Sequence, residues 1–218
     1  RRMLFPIFID LRGRRCLVVG GGRVAERKAR GLVEAGASVT VVAKTASAGV
    51  RRLVRIKKVK LAKRDFSVAD LKGVFLVVCA TDDAQVQERI AVAAKKKRVI
   101  ANVVDTPALC DFFLPAVARR GRLQIAISTG GSSPLTAKRI ARDLGRRYGR
   151  EYADLLSLMS SLRGRVIGCV PASIRPAVFE AMSRPSIMRL LRNGRKAAAR
   201  HAMERVIREA ISEGGRRS

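Results

Sequence analysis

Apolar residues in the first half of this chain gather into short, nearly unbroken runs separated by stretches that read as helices and turns. Cys16-Leu17-Val18-Val19 is the first run that reads as a strand, after an apolar lead-in from Leu4 to Ile9 and a turn through Leu11-Arg12-Gly13-Arg14. It enters Gly20-Gly21-Gly22 and then a helical segment from Val24 to Ala35. Ala35-Gly36-Ala37 stops that helix, and Ser38-Val39-Thr40-Val41-Val42 predicts a second strand. A third, short strand is predicted near Val59–Ala62. Val74-Phe75-Leu76-Val77-Val78-Cys79-Ala80 is apolar throughout, as expected for a central parallel strand covered on both faces. Thr81-Asp82-Asp83 follows as loop and cap, a helix runs from Ala84 to about Lys96, and Val99–Val104 makes the next strand. Strands alternating with helices predict a right-handed, doubly wound parallel sheet.

The pattern changes after residue 110. Asp111 to Val117 and Leu123 to Ile127, joined by a basic turn through Gly121, predict two more strands paired as in a hairpin. Ser128 to Pro134 is a loop, with Pro134 suited to the first turn of a helix from about Leu135 to Arg147. From Glu151 onward the chain reads helical: Tyr152–Arg163, Ile174–Met182, Ser186–Arg192 and Lys196–Ile211, separated by Gly or Pro, with Gly214 to Ser218 as a frayed end. The expected architecture is α/β. A Rossmann-like domain covers 1–110, a small α+β region 111–148 and a helical C-terminal domain 149–218.

Composition sharpens this picture. With 48% hydrophobic residues among 218, a substantial core can form, yet no apolar run approaches the roughly 20 residues of a membrane span. The opening Arg1-Arg2-Met3-Leu4-Phe5-Pro6 lacks the long apolar stretch and cleavage site of a secretory signal, so the cytoplasm is the expected compartment. Cys16, Cys79, Cys110 and Cys169 are widely spread without a Cys-x-x-Cys pair, and His201 is the only histidine; no Cys/His metal site is predicted. Charge is the oddest property, with 46 Lys and Arg against 17 acids, a net +29. Such a balance raises a nucleic-acid partner. The excess is dispersed, however, through Arg51-Arg52, Lys57–Arg64, Lys95–Arg98, Arg119–Arg122, Arg146–Arg150 and Arg189–Arg200, and aromatics are only 4%. A solvated basic surface, or attraction of a small polyanionic substrate, suits this dispersal better than a nucleic-acid site.

Candidate chemistry collects where ligands bind in open parallel sheets, beyond the carboxyl ends of the strands. In Gly20-Gly21-Gly22-Arg23-Val24-Ala25 the first glycine permits a tight turn, Gly22 lets a pyrophosphate approach the backbone, and Ala25 lets the helix pack on its strand. Helix-opening amides, here those about Arg23 and Val24, then suit a phosphate pair. After the second strand stands Ala43-Lys44-Thr45 in place of a ribose-reading acid, which leaves NAD and NADP both open. Thr81, Asp82 and Asp83 either touch the cofactor or cap the next helix. Asp105 ends a buried strand, either as a general base or as the start of an Asp-Thr-Pro turn. Ser128-Thr129-Gly130-Gly131 either binds an anion or simply leads into a helix.

Together these motifs resemble one family. Gly20 to Ala29 looks like the opening of the precorrin-2 dehydrogenase/ferrochelatase family, the N-terminal module of sirohaem synthases. Ala80-Thr81-Asp82-Asp83, Asn102-Val103-Val104-Asp105 and Ser128 to Pro134 fall in that family's order and spacing, and the resemblance covers about residues 4–215. It implies oxidation of precorrin-2 to sirohydrochlorin with NAD⁺ and, in many members, insertion of Fe²⁺ to make sirohaem. It also implies a homodimer, with the region over 111–148 as the dimerisation region and the active site between it and the nucleotide domain. By matching motif, Asp105 is implied as the carboxylate serving both steps. Gly20, Gly22, Arg23, Val24, Lys44, Thr45, Thr81, Asp82 and Asp83 are implied to bind NAD, and Ser128, Thr129 and Gly130 the tetrapyrrole. No protein metal ligand is implied. Thr129 stands where some relatives carry Ser. The methyltransferase domain of fused sirohaem synthases has no counterpart in these residues, so precorrin-2 is expected from another protein. Two rivals remain: a dehydrogenase with a separate chelatase, and a non-catalytic NAD-sensing protein that binds nucleic acid.

Overall fold

In the computed structural model, which describes residues 3–214, the chain divides into two compact units with the boundary between Leu114 and Pro115. The unit over Phe5–Leu114 holds a five-stranded, all-parallel sheet. Its strands are β1 (Arg15–Val19), β2 (Ser38–Val42), β3 (Val59–Ala62), β4 (Leu76–Cys79) and β5 (Ile100–Val103), in the order β3-β2-β1-β4-β5. Helices α1 (Arg23–Glu34), α2 (Ala48–Arg55) and α3 (Ala84–Lys96) connect them.

Alternate residues of β1 and β4 enter different cores, which is why these central strands read as continuous apolar runs. Cys16, Val18, Val39, Val41 and Val78 pack with Ala25, Ala29 and Leu32 of α1 and Val50 and Leu53 of α2. Leu17, Val19, Val77, Cys79 and Val103 pack on the opposite face with Ile90, Ala93 and Ala94 of α3. The buried positions of α1 fall at i, i+4 and i+7, a single helical stripe. Helix α2 is absent from the sequence expectation.

The unit from Pro115 onward opens with an antiparallel pair, β6 (Ala116–Arg120) and β7 (Leu123–Ile127), and α4 (Pro134–Arg147). The expected strand over Asp111 to Val117 therefore starts late. Asp111 instead pairs with the Ala101 backbone, its carboxylate accepting from the Ala101 amide at 2.9 Å and its own amide donating to the Ala101 carbonyl at 2.8 Å. Pro115, which has no N–H to give a ladder, separates that segment from β6.

Helices α5 (Arg150–Cys169), α6 (Arg175–Ala181), α7 (Pro185–Arg192) and α8 (Lys196–Gly214) follow. They enclose a separate core that includes Leu158, Leu162, Val166, Met182, Ile187, Met203 and Ile207. Helix α5 extends past the expected Arg163 through Gly164 and Gly168. Each glycine costs about 1 kcal/mol there, a loss that burial of Leu162 and Val166 on the same helix offsets. The expected fraying of the C-terminal residues lies, beyond Gly214, outside the described residues. No helix among the described residues is long and apolar enough to cross a membrane.

Candidate active site

The strand order reverses between β1 and β4, and the loops leaving those two strands press together. Gly20 has φ +118°, and a Cβ there would overlap the Ala80 carbonyl. A Cβ on Gly21 would overlap the Thr45 carbonyl in the loop after β2. Gly22 differs from both. It is the N-cap of α1, and a Cβ there would meet nothing within 4 Å. A ligand can thus approach the backbone at the positive end of α1, beside Arg23 and Val24. Ala25 is fully buried, as its role in helix packing requires. This cradle fits the phosphates of a dinucleotide.

Around it stand the other expected residues of this unit. Lys44 makes an exposed ion pair with Asp65, 3.1 Å apart, a contact worth about 0–1 kcal/mol. The Asp83 carboxylate caps α3, accepting from the amides of Gln85 at 3.0 Å and Val86 at 3.1 Å. The capping explanation of that residue therefore holds. Thr81 accepts from the Asp83 amide through its hydroxyl at 3.4 Å, and Asp82 is exposed.

Asp105 leaves β5 in a turn, exposed and in the left-handed region at φ +61°. That conformation is uncommon outside glycine, though Asp tolerates it better than most. The turn is anchored from beneath by Cys110 and Asn102, to which the sequence assigned no anchoring role. The Cys110 thiol accepts from the Val103 amide at 3.2 Å and lies 3.1 Å from the Val103 carbonyl. Asn102, buried, donates to the Phe112 carbonyl at 2.9 Å.

Lys28 of α1 is half-buried near the same turn. Burial pulls its ammonium below the ordinary value of 10.5 and Arg27 adds to the drop, while Asp105 and Cys110 oppose it. A signal for Lys28 existed in the helical phase, since it follows Ala25 by three residues on the buried edge of α1. No sequence pattern distinguishes Gln87, which bridges Thr81 and Thr106.

Ser128, Thr129 and Gly130 belong to the other unit. The Thr129 hydroxyl accepts from the Ser133 amide at 3.2 Å and donates to the Ser133 carbonyl at 3.1 Å. Ser128 accepts from the Gly130 amide at 3.2 Å, and Ser133 caps α4 through the Thr136 amide. Gly130 and Gly131 are left-handed, at φ +61° and +87°. No group of His, Cys, Asp and Glu suited to a metal ion occurs among the described residues.

Comparison with known proteins agrees with this fold. Residues 7–116 match the family described as Putative NAD(P)-binding, and residues 120–147 match Sirohaem biosynthesis protein central. The siroheme synthase of Thiobacillus denitrificans is 36% identical over 207 residues, covering 95% of this chain and 43% of that protein. The siroheme synthase of Pseudomonas aeruginosa is 38% identical over 210 residues, covering 96% of this chain and 44% of that protein. The chain thus spans less than half the length of these curated relatives. The solved structure of SirC, precorrin-2 dehydrogenase, superposes with a TM-score of 0.78 at 29% identity, covering 93% of this chain and all of that one. With an NAD(P)-binding sheet joined to the central region of sirohaem biosynthesis proteins, the chain belongs to the family its motifs resemble, that of the precorrin-2 dehydrogenase module of sirohaem synthases.

Proposed function

We propose that this chain oxidises precorrin-2 to sirohydrochlorin with NAD and inserts Fe²⁺ into the product, working as a homodimer in the cytoplasm. The observation that carries the reading is Asp105. It stands exposed in a left-handed turn at the carboxyl edge of the sheet that bears the glycine cradle, with the half-buried Lys28 nearby. An oxidised nicotinamide supplies the acceptor for two electrons and a proton. Gly20 and Gly22 with Arg23 and Val24 hold its phosphates at the opening of α1, while Lys44, Thr45 and the Thr81–Asp83 loop line its ribose and ring. Asp105 takes the second proton released as the macrocycle is oxidised, and in metallation takes protons from the pyrrole nitrogens. Ser128, Thr129 and Gly130 contact carboxylates of the macrocycle. No nucleic-acid partner belongs to this reading.

An anaerobic assay with precorrin-2 and NAD⁺ tests it. Asp105→Ala is expected to lower kcat by roughly 10²–10⁴-fold, since general-base assistance is of that size, with the melting temperature lowered by only a few degrees because Ala tolerates the left-handed backbone less well than Asp. An unchanged rate would remove Asp105 from the mechanism. Supplying sirohydrochlorin and Fe²⁺ and following the absorption spectrum tests metallation. A rate no faster than the spontaneous one would leave the dehydrogenase alone.

A further inference from the structure

A single side chain ties together the loops that leave β4 and β5. Gln87, in the second turn of α3, donates from Nε2 to the Thr81 carbonyl at 2.8 Å, and its Oε1 accepts from the Thr106 hydroxyl at 2.9 Å. Reversing the amide would set its oxygen against the Thr81 carbonyl, so one orientation alone serves both bonds. Gln87, Thr81 and Thr106 are all half-buried, where such bonds are less exposed to competition from water. Thr81 opens the loop beside the glycine cradle, and Thr106 immediately follows Asp105. The Asp105 carboxylate makes no hydrogen bond or ion pair among the described residues, so its position is inherited from the backbone turn that carries it.

We propose that Gln87 is a positioning residue for the oxidation, fixing the Asp105 turn at a set distance from the Thr81 loop and hence the proton acceptor from the cofactor. This rests on the reading of Asp105 as the catalytic carboxylate. The turn has two anchors with different duties. Cys110 holds its base to β5, whereas Gln87 sets its lateral position toward β4. Small misplacements of a reacting group cost about 10²-fold in rate, so a lost tether acts on kcat and leaves ground-state binding of the dinucleotide intact.

The test is a double-mutant cycle with Gln87→Leu and Thr106→Val, each of which removes the bond between them. Each single change is expected to lower kcat for precorrin-2 oxidation about tenfold with the dinucleotide Kd moved less than about twofold, and the double change to be no worse than the poorer single one. Thr106→Ser restores the hydroxyl and recovers most of the rate. Gln87→Glu keeps the acceptor but turns a carboxylate oxygen toward the Thr81 carbonyl, and falls at least as far as Gln87→Leu. Wild-type kcat in both single variants, multiplicative losses in the double, or a loss carried wholly by dinucleotide Kd would overturn the proposal.

Amide hydrogen exchange provides a readout that needs no turnover. Exchange over residues 104–109 is expected to quicken equally in Gln87→Leu and Thr106→Val, and unchanged exchange sinks the tether by itself. Should Gln87→Leu fail to fold, Thr106→Val and Thr106→Ser carry both readouts. An inactive wild type, or a fully active Asp105→Ala, would instead overturn the underlying reading while the exchange result still judged the tether.

Discussion

Gly20, Gly21 and Gly22 are adjacent in sequence, yet a methyl group added to each meets different surroundings. At Gly21 it would strike the Thr45 backbone, which cannot move without opening the loop after β2. Gly21→Ala is therefore expected to destabilise the protein by roughly 2–3 kcal/mol, the upper range of overpacking. At Gly22 the methyl enters open space, and φ is an ordinary −79°. Gly22→Ala should cost under about 1 kcal/mol, the difference between Gly and Ala at an N-cap, while weakening dinucleotide binding tenfold or more. Thermal melts and calorimetric titration with the dinucleotide separate the two; equal tolerance at both positions would refute the assignment. The thiols offer a second contrast. Burial pushes Cys16 and Cys79 from 9.0 up to about 11 and raises Cys110 as well, whereas Cys169 is exposed. At pH 8 Cys169 should react quickly with a disulfide reagent, and the three buried thiols only as fast as the protein opens. Because the unfolded chain releases the Cys16 and Cys79 protons near pH 9 and the folded chain nearer 11, the contribution of these two thiols to stability is intact below 9 and is lost as pH rises between those values.

At the scale of the element, the serine that starts α2 shows how a helix with few apolar residues is held. The Ser47 hydroxyl accepts from the Val50 amide at 3.1 Å and donates to Glu26 of α1 at 2.8 Å. Ser47→Ala should cost about 1 kcal/mol through the lost cap. It should also raise the Glu26 pKa, because the Ser47 hydrogen bond is the main cause that holds it below 4.5, with Arg30 helping. Glu26 stabilises the fold above its unfolded pKa, and that contribution disappears as pH falls through the folded value. The acid side of a stability–pH curve should therefore flatten in Ser47→Ala, and an unaltered slope would contradict the role given to this bond. Helix α2 escaped the sequence reading because Ala48–Arg55 carries three arginines and a glycine, and only Val50 and Leu53 are buried. Strand β2 was legible to the residue from its valines, whereas the edge strand β3, with Lys60 exposed, was legible only as a short segment near Val59–Ala62. The Asp111–Leu114 segment misled because it is apolar like a strand but is held by the Asp111 side chain. The same distinction governs the site. The glycine cradle and Asp105 are local signals, whereas Gln87 and Cys110 gain their partners only after β4 has paired with β5 and the turn has folded back.

Across the whole molecule, 46 basic side chains face 17 acidic ones, so one-to-one pairing leaves most cations uncompensated. Among the described residues the pairs that form keep their cations exposed, and in Arg12–Asp10 and Lys44–Asp65 both partners are exposed. Exposed pairs contribute about 0–1 kcal/mol each, whereas a net +29 repels itself over the whole surface. Dissolved salt weakens both the attraction and the repulsion, and their relative size fixes the sign of the result. Raising NaCl shortens the screening length from about 10 Å at 0.1 M to about 3 Å at 1 M. If repulsion outweighs the ion pairs, the melting temperature rises by several degrees across that range; if the pairs dominate, it falls. The charge excess predicts a rise. Under the proposed function, the same screening acts in the opposite direction on the substrate. A polycarboxylate macrocycle approaching a cationic surface loses its long-range attraction, so KM for precorrin-2 should climb, roughly tenfold by the lower bound of electrostatic steering. The chemical step occurs after the substrate is seated, so kcat should stay within about twofold over the range in which long-range charge is screened. Stability and affinity moving in opposite directions with salt would identify the dispersed charge as a field acting on substrate capture. A KM indifferent to salt would separate the basic surface from catalysis.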